Sequence, residues 1–83
     1  MDIDISDWNV SNGRCFKYMF YGCKKFNCDI SEWDVSNGID FSFMFAGCIG
    51  FNCDLSKWDL AAAKNLSGWN HRKYNIWNFI KDD

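Results

Sequence analysis

Apolar and polar residues alternate along the chain in a pattern that predicts two kinds of short element. The segment CDISEWDV, residues 28–35, is rich in β-branched and aromatic residues and predicts a short extended segment. The next segment, SNGIDFSFMFAG at residues 36–47, predicts a short helix, because Phe41, Met44 and Phe45 fall at i, i+3 and i+4. A serine N-cap and a glycine after the last turn support these bounds.

The same pattern recurs at one fixed spacing. Trp8, Trp33 and Trp58 are 25 residues apart, and each follows an Asp-x-Ser sequence by two positions. Self-similarity at a constant period of this size is the signature of a repeat protein. The sequence predicts repeats over about 3–27, 28–52 and 53–63, followed by a non-repeating segment at 64–83 whose apolar residues have helical spacing.

A unit of this length cannot bury its own apolar face, whereas stacked copies bury equivalent side chains in ladders. We therefore predict one domain, 1–83, with an α/β repeat-solenoid fold. It is expected to be a short, leucine-rich-repeat-like stack of strand–helix units, closed by a capping helix at 64–83. No cap is predicted at the N-terminal end, so that end is expected to pair with a partner or to form a homo-oligomer.

The residues also carry a family resemblance. FNCDISEWDVSNGIDFSFMFAGC, residues 26–48, resembles the BspA-like surface-protein repeat seen in mycoplasma-type lipoproteins, chiefly in its W-D-V-S and M-F-x-x-C elements. The resemblance implies a leucine-rich-repeat-like architecture and a role in binding host proteins or other cells. The chain departs from the family pattern at Cys28 and Cys53, which replace a glutamine, and in being short where the family's proteins are long and exported.

Composition and charge exclude several classes of function. The net charge is −2, so the chain lacks the basic excess expected of a nucleic-acid-binding protein or of one that binds anionic membranes. No apolar run approaches the ~20 residues of a membrane span. The start MDIDISDWNV lacks the features of a secretory signal, which predicts a cytoplasmic protein. A fragment of a longer exported protein would instead belong at the cell surface.

Four of the five cysteines form two C-x4-C pairs one repeat apart. These are Cys23, Cys28, Cys48 and Cys53. Stacking would bring them together, which leaves three alternatives: buried free thiols, a structural zinc site, or disulfides. The sequence favours free thiols, because duplication alone explains the repeated positions and an odd count with no signal peptide argues against disulfides.

No arrangement of side chains predicts catalysis or a bound cofactor. The only histidine, His71, has no nucleophile or carboxylate at a recognised spacing. The recurring aspartates, such as Asp29 and Asp54, are expected to hydrogen-bond backbone amides in turns. The three tryptophans of the ladder pack in the core or, alternatively, form an exposed stripe that anchors an interface.

We therefore predict a non-enzymatic protein–protein interaction module. The candidate partner-binding residues are Trp8, Glu32, Trp33, Lys57 and Trp58. Two alternatives stay open at this point. One is a small phage- or virus-encoded inhibitor of a host or defence protein, and the other is a structural fragment of a longer cell-surface adhesin.

Overall fold

The structure is a computed structural model that describes residues 4–69. Within this range the backbone forms neither an α-helix nor a β-strand. It is a succession of turns, with isolated parallel bridges that join Cys15 to Asp40 and Asp40 to Asn65. The bridged residues are one repeat period apart, so the turns belong to units that lie side by side.

Backbone hydrogen bonds join each unit to the next. Every second amide in one stretch of the first unit donates to a carbonyl of the second unit, and the second unit donates to the third in the same way. The N–O distances are 2.7 to 3.0 Å, and the bonds link Phe16 to Asp40, Tyr18 to Ser42, Phe20 to Met44, Gly22 to Ala46, Phe41 to Asn65, Phe43 to Ser67, and Phe45 to Trp69. Residues 25 positions apart therefore lie above one another in columns.

The intervening amides close turns inside each unit. The amides of Met19, Tyr21 and Cys23 each donate to the carbonyl three residues earlier, at 3.0 to 3.2 Å. An α-helix requires each amide to donate to the residue four positions earlier. Because alternate amides of this stretch donate to the next unit instead, the backbone cannot continue as a helix while all its polar groups are paired.

The predicted α/β solenoid of leucine-rich-repeat type is therefore wrong. Residues 36–47 are not a helix. Phe41, Met44 and Phe45 are fully buried, as their spacing predicts, but consecutive turns bring them to the core side. A turn bonded from Trp33 to Ile30 interrupts the predicted extended segment.

The predicted capping helix is not supported either. Residues 64–69 contain no helix and continue the turn pattern of the preceding units. Residues 70–83, the remainder of the predicted cap, lie outside the described part of the chain.

Short polar side chains fix the start of each turn. An Asp or Asn side-chain oxygen accepts a hydrogen bond from the amide two residues on, the geometry of an Asx turn. These bonds are 2.9 to 3.1 Å long and pair Asp4 with Ser6, Asn9 with Ser11, Asp29 with Ser31, Asp34 with Ser36, Asp40 with Ser42, Asp54 with Ser56, Asp59 with Ala61, and Asn65 with Ser67. The prediction that the recurring aspartates bond backbone amides in turns is confirmed.

Equivalent aromatic rings stack in columns through the core. The stacked pairs, with centroids 5.2 to 6.5 Å apart and planes within 16°, are Phe16 with Phe41, Phe20 with Phe45, Phe26 with Phe51, and Trp33 with Trp58. Rings of this size bury large apolar areas, which compensates for the small core that a short chain can build. The predicted ladder of equivalent rings is therefore present.

The tryptophan ladder also carries a hydrogen bond from unit to unit. The indole Nε1 of Trp33 donates to the carbonyl of Ile5 at 3.1 Å, and that of Trp58 donates to the carbonyl of Ile30 at 2.9 Å. Both indoles are buried. Each satisfies its only polar atom on the preceding unit, which is the condition for burying an indole.

Two glycines of one column turn the backbone where the first and second units meet. Gly22 and Gly47 have φ of +73° and +79°, in the left-handed region that glycine adopts without steric cost. A Cβ on Gly47 would lie 3.3 Å from the Cα of Gly22, whereas a Cβ on Gly22 would meet nothing within 4 Å. The two glycines therefore share a backbone conformation but differ in the space for a side chain, which is restricted at Gly47 and open at Gly22.

The two glycines provide a matched test of this packing. Gly22→Ala is expected to cost about 1–2 kcal/mol of unfolding free energy, from the left-handed conformation alone. Gly47→Ala is expected to cost more, because its Cβ also presses on the neighbouring backbone. Urea unfolding followed by tryptophan fluorescence measures both. Equal losses would show that the contact between the glycines is not tight.

The tryptophan column provides a second test. Trp33→Ala is expected to lower the unfolding free energy by about 3–5 kcal/mol, since it opens a cavity and leaves a carbonyl with one fewer partner. Trp8→Ala is the matched control, because Trp8 belongs to the same column but is half exposed. Thermal unfolding by circular dichroism measures both. A Trp8 variant as unstable as the Trp33 variant would contradict the assignment of Trp33 to the core.

Candidate protein-binding surface

Three aromatic side chains form a contiguous exposed strip on the side of the stack. Tyr18 and Phe43 occupy the same column in adjacent units, and their rings stack with centroids 5.3 Å apart and an interplanar angle of 8°. Tyr21 meets Tyr18 edge to face at 5.4 Å. All three side chains are exposed. We call Tyr18, Tyr21 and Phe43 the aromatic strip.

The backbone turns these rings outward at a conformational cost. Tyr18 and Phe43 have φ of 60° and 57°, left-handed values that are unusual for bulky residues. Each lies at the third position of a turn, where a positive φ turns the chain. The amides of both residues donate to the next unit, so the inter-unit bonds hold the strained conformation in place.

The third unit ends the strip with a glycine. Gly68 occupies the same column as Tyr18 and Phe43 and also has a positive φ, of 55°. A Cβ at Gly68 would lie 2.6 Å from a ring carbon of Phe43, so the ring lies directly over the glycine. Because Gly68 has no side chain, one face of the Phe43 ring packs on the Gly68 backbone, and Tyr18 covers the other face.

One positive charge accompanies the strip. The Nζ of Lys17 lies 5.8 Å from the centroid of the Tyr18 ring, within the range of a cation–π contact. The strip therefore offers apolar ring edges, tyrosine hydroxyls and an ammonium group together. Aromatic residues of this kind are enriched in the buried centres of protein interfaces.

The candidate residues that the sequence put forward are distributed differently. Trp33 and Trp58 lie in the core, and Trp8 is exposed. Glu32 and Lys57 form an exposed ion pair, and the Glu32 carboxylate raises the pKa of Lys57. Whether any of these residues contacts a partner stays a prediction.

The aromatic strip was missed at the sequence level. A tyrosine and a phenylalanine give no sign of a left-handed backbone, since that conformation is usually marked by glycine or asparagine. The one available signal was the column itself, because Gly68 stands in line with Tyr18 and Phe43.

The five cysteines all lie within the described residues. They form no disulfide with one another, and in residues 4–69 no group of three or more His, Cys, Asp or Glu side chains is arranged to hold a metal ion. The sequence alternative of zinc at Cys23, Cys28, Cys48 and Cys53 thus gains no support from the geometry. Burial raises the pKa of Cys48 and of Cys53 to about 11, so both remain protonated thiols at neutral pH.

A shallow polar groove of about 330 Å³ lies along the Asx turns. Its lining includes Asn27, Asp29, Ser31 and Asp54. The Asp29 and Asp54 carboxylates already accept hydrogen bonds from the amides of their own turns. The Cys53 thiol also contacts Asp29, with 3.5 Å between Sγ and Oδ1. The groove is therefore a by-product of turn formation, with its acidic groups engaged.

Two further features of the sequence bear on the choice of site. His71 lies outside the described residues. In residues 4–69 no helix is long and apolar enough to cross a bilayer.

These features define the class of protein: stacked, turn-rich repeats of 25 residues with an aromatic core. The chain belongs to a family described as Mycoplasma protein of unknown function, DUF285, whose profile matches residues 1–79. This fits the expected relation to mycoplasma repeats in general, although not the BspA type in particular. No curated protein and no solved structure matches the chain.

The Asx turns make the stability of the fold depend on acid. Hydrogen bonds from the serines two residues on hold the pKa of these carboxyls below the ordinary value of 3.8: Asp4, Asp29, Asp34, Asp40 and Asp54. A depressed folded-state pKa contributes stability that is complete above the unfolded value and is lost as the pH falls through the folded value. We therefore expect the unfolding free energy to fall as the pH drops below 3.8.

Asp34 tests this origin of the acid dependence. Asp34→Asn should keep the turn, as Asn9 does in the same column, while removing one titrating group. Asp34→Ala should lose the turn at every pH. Urea unfolding of both variants across the acid range separates the two effects. An Asn variant that is as unstable at neutral pH as the Ala variant would contradict the assignment.

Proposed function

We propose that this protein is a non-enzymatic protein–protein interaction module that binds its partner through the aromatic strip. One observation carries the proposal: Tyr18 and Phe43 keep exposed rings on strained, left-handed backbone. Such a conformation costs about 1–2 kcal/mol per residue relative to an ordinary one. Strain of this kind concentrates at functional positions, where surrounding structure maintains it.

The chemistry of the strip favours a protein as the partner. Tyrosine presents a large rigid contact area together with a hydroxyl, and little side-chain entropy is lost when it is buried. Tyr18 is already held by Phe43 on one side and by Tyr21 at its edge, which lowers the cost of ordering it on binding. A net charge of −2 offers no general attraction for nucleic acid.

The state of the candidate nucleophiles supports the non-enzymatic part of the proposal. A thiol must ionise to act as a nucleophile, and burial opposes this at Cys48 and Cys53, whose pKa rises to about 11. The aspartates of the turns are engaged by backbone amides and have lowered pKa values, which disfavours a role as general acids near neutral pH.

Two narrower functions are special cases of this proposal. An inhibitor of a host or defence protein would act on a partner inside a cell. A unit of a longer adhesin would act on a partner at the cell surface. Membership of a Mycoplasma family favours neither by itself, and the identity of the partner separates them.

Tyr21 and Ile49 allow a controlled test. Their side chains are 59% and 57% exposed, but only Tyr21 belongs to the strip. In affinity capture from cells that make the protein, the native chain and Ile49→Ala should retain the same binding protein, and Tyr21→Ala should lose it. With the purified partner, calorimetry should show binding at least about tenfold weaker for Tyr21→Ala, as for a residue at an interface centre.

Two results would contradict the proposal. One is equal affinity of the Tyr21 and Ile49 variants for the partner. The other is binding that depends on Ile49 and not on Tyr21, which would place the interface elsewhere on the stack. Circular dichroism of each variant must match the native chain, since Tyr21 contacts the rest of the strip.

A further inference from the structure

The charged side chains are distributed along the chain in step with the backbone ladder. The backbone hydrogen bonds between units join residues of 14–25, 39–50 and 64–69, which we call the ladder segments. The other described residues, at 4–13, 26–38 and 51–63, are the linking segments. The ladder segments carry five cations and one carboxylate, whereas the linking segments carry seven carboxylates and one cation. The small net charge of the chain is therefore the sum of two opposite local charges.

The aromatic core lies between the two kinds of segment. Phe20, in a ladder segment, packs against Phe26 and Trp33 of a linking segment, with ring centroids 4.1 and 6.1 Å apart. In the next unit Phe45 packs in the same way against Phe51 and Trp58, at 4.5 and 6.0 Å. Because these inward rings fill the space between the segments, the outward side chains of the two segments lie on different sides of the stack.

The aromatic strip lies on the cationic side. Tyr18 and Tyr21 belong to the first ladder segment, and Phe43 belongs to the second. The five cations of this side are all exposed: Arg14, Lys17, Lys24, Lys25 and Lys64. Four of them are in the same segment as the two tyrosines, so the rings of the strip are bordered by positive charge.

The middle unit shows that these positions face the side of the stack. It has a unit on either side, yet Phe43, in the column of Tyr18, is exposed. Ile49 and Gly50, in the columns of Lys24 and Lys25, are exposed as well. Neighbouring units do not cover these columns, so the exposure of Lys24 and Lys25 does not depend on the position of their unit in the stack.

The cations near the strip are not neutralised by carboxylates of the described chain. Among residues 4–69, Arg14, Lys24 and Lys25 form no ion pair, whereas the one cation of the linking segments is paired with Glu32. The one carboxylate of the ladder segments, Asp40, accepts the Ser42 amide at 2.9 Å. That hydrogen bond chiefly, and the charge of Lys17 to a smaller extent, lower the pKa of Asp40.

We propose that the segment of the partner that binds the aromatic strip is acidic, an inference that rests on the function proposed above. It is a short stretch of a protein in which Asp or Glu residues flank apolar or aromatic side chains. The rings of the strip form the apolar centre of the contact, and the lysines and the arginine meet carboxylates at its rim. Opposite charges placed in this way speed the encounter and select against other partners.

The distribution of charge favours an acidic peptide over a larger polyanion. Electrostatic attraction between exposed groups is screened within about 10 Å at 0.1 M salt. A short peptide can therefore lie beside the cations without approaching the linking segments. A long nucleic-acid strand or an anionic bilayer extends past the cations and meets the field of the seven carboxylates.

Two double variants provide a matched comparison. Lys24→Gln with Lys25→Gln removes two positive charges from the side of the strip. Asn12→Glu with Ala62→Glu adds two negative charges to the linking segments, where both residues are exposed. The net charge changes equally in the two variants, and neither alters a ring of the strip. Circular dichroism must show that both fold like the native chain.

Selection from a phage-displayed library of random peptides, with the full chain as target, tests the proposal. The recovered sequences should be enriched in Asp and Glu next to aromatic or aliphatic residues. As labelled free peptides, followed by fluorescence anisotropy, they should bind the native chain about tenfold more weakly in ~0.5 M than in ~0.05 M salt. The double lysine variant should also bind about tenfold more weakly, and the Asn12 and Ala62 variant should bind like the native chain.

Several outcomes would overturn the inference. Peptides that need Tyr21 but are not acidic, and that bind the lysine variant normally, would overturn it and leave the proposed function intact. Acidic peptides that bind Tyr21→Ala as tightly as the native chain would contradict both proposals. Tighter binding of an oligothymidylate or of phosphatidylserine vesicles than of the peptides would assign the cationic side to nucleic acid or to a membrane. A selection that enriches no sequence would also count against it.

Discussion

The fold depends on one constraint: alternate backbone amides of the first and second units donate to the unit that follows. This ladder fixes the repeat period, because a chain segment can pair in register only if the next segment returns after the same number of residues. It leaves the remaining amides to close turns within the unit. Stacking of equivalent rings, burial of the indoles and outward projection of Tyr18 and Phe43 all follow from that register.

Much of this order is visible in the sequence. The period, the columns of rings and the role of the Asp-x-Ser segments in turns follow from residue identity alone, since each rests on a local or strictly periodic signal. The helix predicted for 36–47 failed because its i, i+3, i+4 pattern reports which residues face the core and not how the backbone brings them there. The competing hydrogen bonds come from residues one unit away, such as Ser67 for Phe43, and no pattern within a single unit records them.

The candidate surface was less predictable than the fold. The tryptophans attracted attention because they are large and recur, but recurrence in a stack favours burial between units. Two residues of the aromatic strip, Tyr18 and Phe43, belong instead to a column whose residue type changes from tyrosine to phenylalanine to glycine. In this chain the recurring Trp33 and Trp58 are buried, whereas the column that changes from Tyr18 to Phe43 to Gly68 lies at the surface.

The backbone hydrogen bonds are alike at the two junctions between units, and this has a consequence for folding. The first unit donates to the second, and the second to the third, from equivalent backbone amides, so a chain that pairs out of register loses few backbone hydrogen bonds at first. Features present at only one junction, such as the close approach of Gly47 to Gly22 and the ring of Phe43 over Gly68, discriminate between the two registers. These few irregular residues thus favour the native register over the shifted one. The regular positions do not discriminate, so they allow units to be exchanged between chains.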